Sequence, residues 1–151
     1  MKKIKIARLF ICMGHLSLIK EISLLKEVNL TLFIDSSVKS KFDKDLSIKK
    51  KVLGDLRLFT NKFIIGKDLL DLSKELEKYL KENKFDLLHI GSQESLAVAS
   101  LTDISLPLVV TLHGTDVYNY INEKRIFYKL IIKPFISNVL NKASIITSVS
   151  N

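Results

Sequence analysis

Short apolar runs alternate with stretches of helical period along nearly the whole chain, and this alternation constrains the fold more than any other feature. Residues 3–12 begin as Ile4 and Ile6 between polar neighbours and then turn continuously apolar, as suits a strand passing into a core. Gly14 and His15 break that run. Further strand-like runs occupy residues 30–34, a stretch within 52–59, residues 86–90, residues 107–112 behind Pro107, and residues 144–149.

The intervening segments carry a different period. Residues 16–26 place Leu18, Ile19, Ile22 and Leu25 on one side and Lys20, Glu21 and Lys26 on the other. The clearest helix is expected over Lys67–Asn83, where Leu69, Leu72, Leu76 and Leu80 form one stripe, with Glu75/Lys78 and Glu77/Lys81 as ion pairs. Ser92 is placed to N-cap a helix through Ser100. A last helical stretch covers residues 121–142, where Pro134 is expected to kink or divide it. Strands alternating with helices of this length specify βαβ units. The expected fold is therefore α/β, a Rossmann-like doubly wound parallel sheet of about six strands, in one domain over residues 1–151.

Bulk properties narrow the class. With 47% hydrophobic and 26% charged residues the chain has a globular balance, not a disordered one. Cys12 is the single cysteine, so no internal disulfide forms and a reducing compartment is expected. The apolar stretch after Arg8 is too short for a secretory core, and no stretch reaches a membrane span. A cytoplasmic location follows. The net charge of +8 is uneven. Residues 39–51 hold six lysines against two aspartates and read as a solvated loop, residues 124–142 hold five bases and no acid, and residues 52–123 are net acidic. Nucleic acid is not expected as a partner, because the basic tracts lack interleaved aromatics and any nucleic-acid motif.

Polar residues gather where strands end, and in parallel sheets the carboxyl ends of strands open onto the ligand crevice. Thr111-Leu112-His113-Gly114-Thr115-Asp116 follows the fifth run directly. His113 is the leading catalytic candidate, against the plainer role of a histidine capping a strand end. Gly114 lets the backbone turn beside a ligand, and Thr115 and Asp116 offer hydroxyl-binding groups, although Asp116 also suits an N-cap. Gly14 and His15 lie at the first strand–helix turn, where a helix N-terminus favours anions. His89 is expected to be a satisfied core histidine. The three histidines end three different strands, and no spacing indicates a metal site or a cofactor. Cys12 is a poor nucleophile in so apolar a run. A small flavodoxin-like nucleotide domain is disfavoured, since neither Gly-x-Gly-x-x-Gly nor Gly-x4-Gly-Lys occurs.

Three blocks taken together resemble a known family. Phe85-Asp86-Leu87-Leu88-His89, then 106–116 with its His113-Gly114-Thr115-Asp116, then Ala143-Ser144-Ile145-Ile146-Thr147-Ser148-Val149-Ser150, are similar in order and spacing to the N-terminal half of family-4 glycosyltransferases. The resemblance implies a GT-B enzyme of two Rossmann-like domains facing across a cleft. It further implies a sugar moved from a nucleotide-sugar donor to a glycan or lipid-linked acceptor, with retention of configuration and no metal, as in cell-surface polysaccharide synthesis. His113 would then face the donor sugar. Where the family carries a Gly-Gly loop this chain has Gly14 alone, and where it often has a second histidine two residues past the first, this chain has Gly91 followed by Ser92, to which a polar role would pass. The family's Glu-x7-Glu motif belongs to a C-terminal donor-binding domain and has no counterpart here; Glu75 and Glu82 lie on the exposed side of the expected surface helix. The resemblance thus predicts half of a cleft, weak or inactive without a C-terminal domain or a partner chain.

The stretch 121–142 carries a separate expectation. Arg125, Lys129 and Lys133 form a basic row at four-residue spacing, bordered by Ile126, Phe127, Leu130 and Ile131. Such a row suits a helix lying on an anionic membrane at its inner face, or a helix packed on the sheet with snorkelling lysines. The competing function is a non-enzymatic Rossmann-like module that binds a partner or a membrane surface.

Overall fold

The computed structural model describes residues 2–10, 24–35, 49–54, 67–91, 93–113, 126, 129–130 and 133–149. Six strands form one parallel sheet: β1 (Ile4–Phe10), β2 (Val28–Asp35), β3 (Lys49–Gly54), β4 (Leu87–Gly91), β5 (Leu108–His113) and β6 (Ile145–Val149). Three described helices lie between them: α1 (Lys67–Asn83), α2 (Gln93–Ser100) and α3 (Lys133–Lys142). The strand order is β3-β2-β1-β4-β5-β6. This is the doubly wound order of dinucleotide-binding folds, and the chain reverses direction between β1 and β4, where such sheets open a crevice at the carboxyl ends. It also differs from the flavodoxin-like order, which removes that alternative.

Period-2 alternation divides the sheet into two faces. Ala7, Leu9, Phe33, Leu88, Ile90, Leu108 and Val110 point to one face and pack with α1, α2 and α3 into a single apolar cluster. The stripe Leu69, Leu72, Leu76 and Leu80 is buried throughout, as its spacing predicts. Each such leucine contributes about 1.5–3 kcal/mol of transfer free energy. Phe33 meets Tyr79 edge-on, with ring centroids 5.2 Å apart at 87°, and locks β2 to α1. Lys84, at φ 47°, ends α1 in the left-handed conformation and turns the chain into buried Phe85.

Several boundaries depart from the sequence reading. Lys49, Lys50 and Lys51 are not loop; they open β3 (Lys49–Gly54), and residues 55–59 lie outside the described residues. An edge strand needs one backbone ladder, here to β2 from Thr31 to Asp35, and lysines are tolerated there because they deter further pairing. β2 begins two residues earlier than its apolar run, and β5 extends to include His113. α3 starts at Lys133, in keeping with a division of the 121–142 stretch at Pro134, which sits in the first turn, where its missing N–H has no helical partner to lose. Along α1, Lys81 pairs with Glu77 as expected, and Lys78 approaches Glu82 at 4.0 Å. The hydrogen bond with Lys81 holds the Glu77 carboxyl below its usual range and raises Lys81 in turn. The stretch 16–26 lies outside the described residues except for its last three positions.

Candidate functional site

The opposite face of the sheet is polar where it reaches the carboxyl ends of β1, β4 and β5. Arg8, in the second half of β1, is fully buried. Across the strand pair it stands in register with His89 of β4, and its Nη1 lies 2.6 Å from Nδ1 and 2.7 Å from Nε2 of that ring. His89 Nε2 is 2.8 Å from Thr111 Oγ1 on β5, and Thr111 Oγ1 is 2.9 Å from Thr147 Oγ1 on β6. Thr147 Oγ1 in turn donates to the Val110 carbonyl at 3.4 Å.

A guanidinium only donates, so the His89 ring accepts from Arg8 Nη1 at one of its nitrogens. The ring must then be neutral. Burial, reinforced by the adjacent Arg8 charge, pushes the His89 pKa down to about 3. His89 is thus the satisfied core histidine expected from its place inside a strand.

Gly91 closes β4 two residues beyond His89, on the same face of the sheet. A Cβ at this position would lie 3.2 Å from the Thr111 carbonyl oxygen, 3.4 Å from Arg8 Nη2 and 3.7 Å from His113 Nε2. The bare Cα therefore gives space to two side chains from the flanking strands. His113, the last residue of β5, is half-buried at the rim. Behind this group, Ser95 Oγ in the first turn of α2 donates to the Leu9 carbonyl at 3.3 Å and ties that helix to β1. Arg8, His89, Gly91 and His113 thus converge at the point between β1 and β4 where the winding reverses.

Of the residues singled out from sequence, His113 falls at this point. Gly14, His15, Ser92, Gly114, Thr115, Asp116 and Arg125 lie outside the described residues. Lys129 is exposed, beside Ile126 and Leu130, which are 75% and 70% exposed, whereas Lys133 is half-buried at the start of α3. Sequence reasoning missed Arg8. Its signal was present: a lone charge inside Ile6-Ala7-Arg8-Leu9-Phe10, a run otherwise suited to burial. Among the described residues no three metal-ligating side chains cluster, and no helix is long and apolar enough to cross a membrane.

Comparison with known proteins places this geometry. The sequence profile described as Glycosyltransferase Family 4 matches residues 42–151. No curated protein matches the chain. Among solved structures, MurG from Acinetobacter baumannii aligns with a TM-score of 0.59 at 10% identity over 98% of this chain. A UDP-N-acetylglucosamine 2-epimerase aligns at 0.62 and 13% over 97%, and sucrose-phosphate synthase from Thermosynechococcus elongatus at 0.58 and 13% over 95%. The chain spans 42% of each of those structures. At such identities the likeness is one of fold, and a fold shared by an epimerase and a synthase leaves the chemistry to the site.

Proposed function

We propose, because the chain belongs to glycosyltransferase family 4, that it forms the N-terminal, acceptor-side half of a GT-B glycosyltransferase. The enzyme moves a sugar from a nucleotide-sugar donor to a glycan or lipid-linked acceptor, in cell-surface polysaccharide synthesis, with retention of configuration. The observation that carries this reading is the convergence of Arg8, Gly91 and His113 at the winding reversal of a β3-β2-β1-β4-β5-β6 sheet. There His113 meets the reacting sugar, hydrogen-bonding a hydroxyl or stabilising charge near the transferring centre. The family resemblance extends substrate binding to Gly114, Thr115, Asp116, Ser92, Gly14 and His15, all outside the described residues. The opposite wall belongs to a C-terminal domain or a partner chain, which holds most of the donor.

A transfer assay tests this with a panel of nucleotide sugars and acceptors. The chain alone is expected to show no measurable transfer, and the protein carrying both halves to be active. His113→Ala in the two-half protein should lower kcat about a hundredfold, the usual size for loss of one positioned polar group. Transfer by the isolated chain at ordinary enzyme rates, or an unchanged kcat in the variant, would contradict the proposal.

A second surface accompanies this one. Ile126 and Leu130, exposed at helical spacing beside exposed Lys129, support contact with an anionic membrane at its inner face, where lipid-linked acceptors reside. In the sequence, Arg125 and Lys133 lie four residues either side of Lys129. Sedimentation with anionic vesicles should carry the chain down at low salt and release it at high salt; equal recovery with neutral vesicles would count against the membrane role.

A further inference from the structure

Side chains of β4 and β5 meet on a diagonal. His89 is in register with Val109, yet its ring reaches one step further along the same face and lies 2.8 Å from Thr111 Oγ1. Gly91 is in register with Thr111, so the same step from Gly91 ends at His113. The distances agree. His113 Nε2 lies 3.7 Å from the point a Cβ of residue 91 would occupy, and that nitrogen is buried although the residue, at the rim, is only half-buried. A single carbon at position 91 would stand at ordinary contact distance from the ring and press on the Thr111 carbonyl oxygen at 3.2 Å. A branched side chain would need the space the imidazole holds, since the Thr111 carbonyl and Arg8 Nη2 already stand at 3.2 and 3.4 Å.

We propose that Gly91 is a positioning residue for His113: its missing side chain is the seat of the imidazole, and the seat fixes where at the carboxyl end of the sheet His113 meets a ligand. A histidine that ends a strand otherwise has several rotamers open to it, and a ring packed onto the neighbouring strand keeps one. Ordering of the ring is then complete on folding, before a ligand arrives, which is the condition for a precisely placed polar group. Gly91 acts through His113 and needs no contact with the ligand. The proposal rests on the transferase reading only where kcat is the readout; the seat itself is read from the His113 ring in the chain alone.

The experiment joins NMR of the chain to kinetics of the protein carrying both halves. In the wild-type chain, nuclear Overhauser contacts are expected between the Gly91 Hα protons and the His113 ring. Gly91→Val should move the His113 ring signals towards those of an exposed histidine, and Gly91→Ala should move them less. In the two-half protein Gly91→Val should lower kcat about a hundredfold and Gly91→Ala about threefold. Gly91→Val combined with His113→Ala should be no slower than His113→Ala alone, because a seat without its ring has nothing left to position. A folded Gly91→Val with wild-type His113 ring signals overturns the proposal. So do additive losses in the double variant, or a wild-type kcat in Gly91→Val when His113→Ala is slow. Absence of the Gly91–His113 contact in the wild-type chain overturns it as well, and that measurement decides the matter if Gly91→Val does not fold. If His113→Ala leaves transfer unchanged while Gly91→Val still displaces the ring, the seat stands and the transferase role of His113 fails.

Discussion

The two faces of this sheet are built from alternate residues of the same strands and serve different ends. On β4, Leu88 and Ile90 point into the apolar cluster under α1, α2 and α3, while His89 and Gly91 belong to the polar side. On β5, Leu108 and Val110 take the first role, and Thr111 and His113 the second. On β1, Ala7 and Leu9 are separated by Arg8. A register slip of one residue would exchange the faces, putting Arg8 and His89 into the helix layer and the leucines at the rim. The difference teaches that on β4 and β5 one face is stabilised by apolar burial, whereas the other holds buried polar groups that are tolerable only when linked.

Mutating each face should therefore produce different signatures. Leu76→Ala, in the middle of α1 and fully buried, should cost about 2–5 kcal/mol at any pH in a denaturant melt. A loss under 1 kcal/mol would mean that the helix layer is not the main source of stability. The polar face should respond instead to acid. His89 stays neutral in the native state down to about pH 3, while in the unfolded chain it takes up a proton near its ordinary value of 6.5. The unfolded state thus binds more protons between those two values, so native stability rises with pH across that window and is lost as pH falls through it. The slope should approach about 1.4 kcal/mol per pH unit at its steepest, and His89→Gln should flatten it. A native His89 that titrates near 6.5 by NMR would break the relay from Arg8 to Thr147.

Much of this was legible in the chain before its coordinates. The leucine stripe of α1 and the run after Pro107 gave their elements almost to the residue, because helix period and strand alternation are local signals. β3 was harder: Lys49-Lys50-Lys51 carries no apolar pattern, and its strand state comes from pairing with β2, a contact distant in sequence. His113 stood out because its strand ends in polar groups. Arg8 did not, since only the parallel register sets it beside His89 and opposite Gly91. Nor can a glycine announce that its missing side chain makes room for others.

The most direct test of the division between faces is an amide chemical-shift map of the chain titrated with a nucleoside diphosphate at millimolar concentration. The account predicts shifts at Arg8, His89, Gly91, Thr111 and His113, with Leu72 and Leu76 of α1 unmoved. Shifts confined to the helix layer, or none at the five polar-face positions, would contradict it.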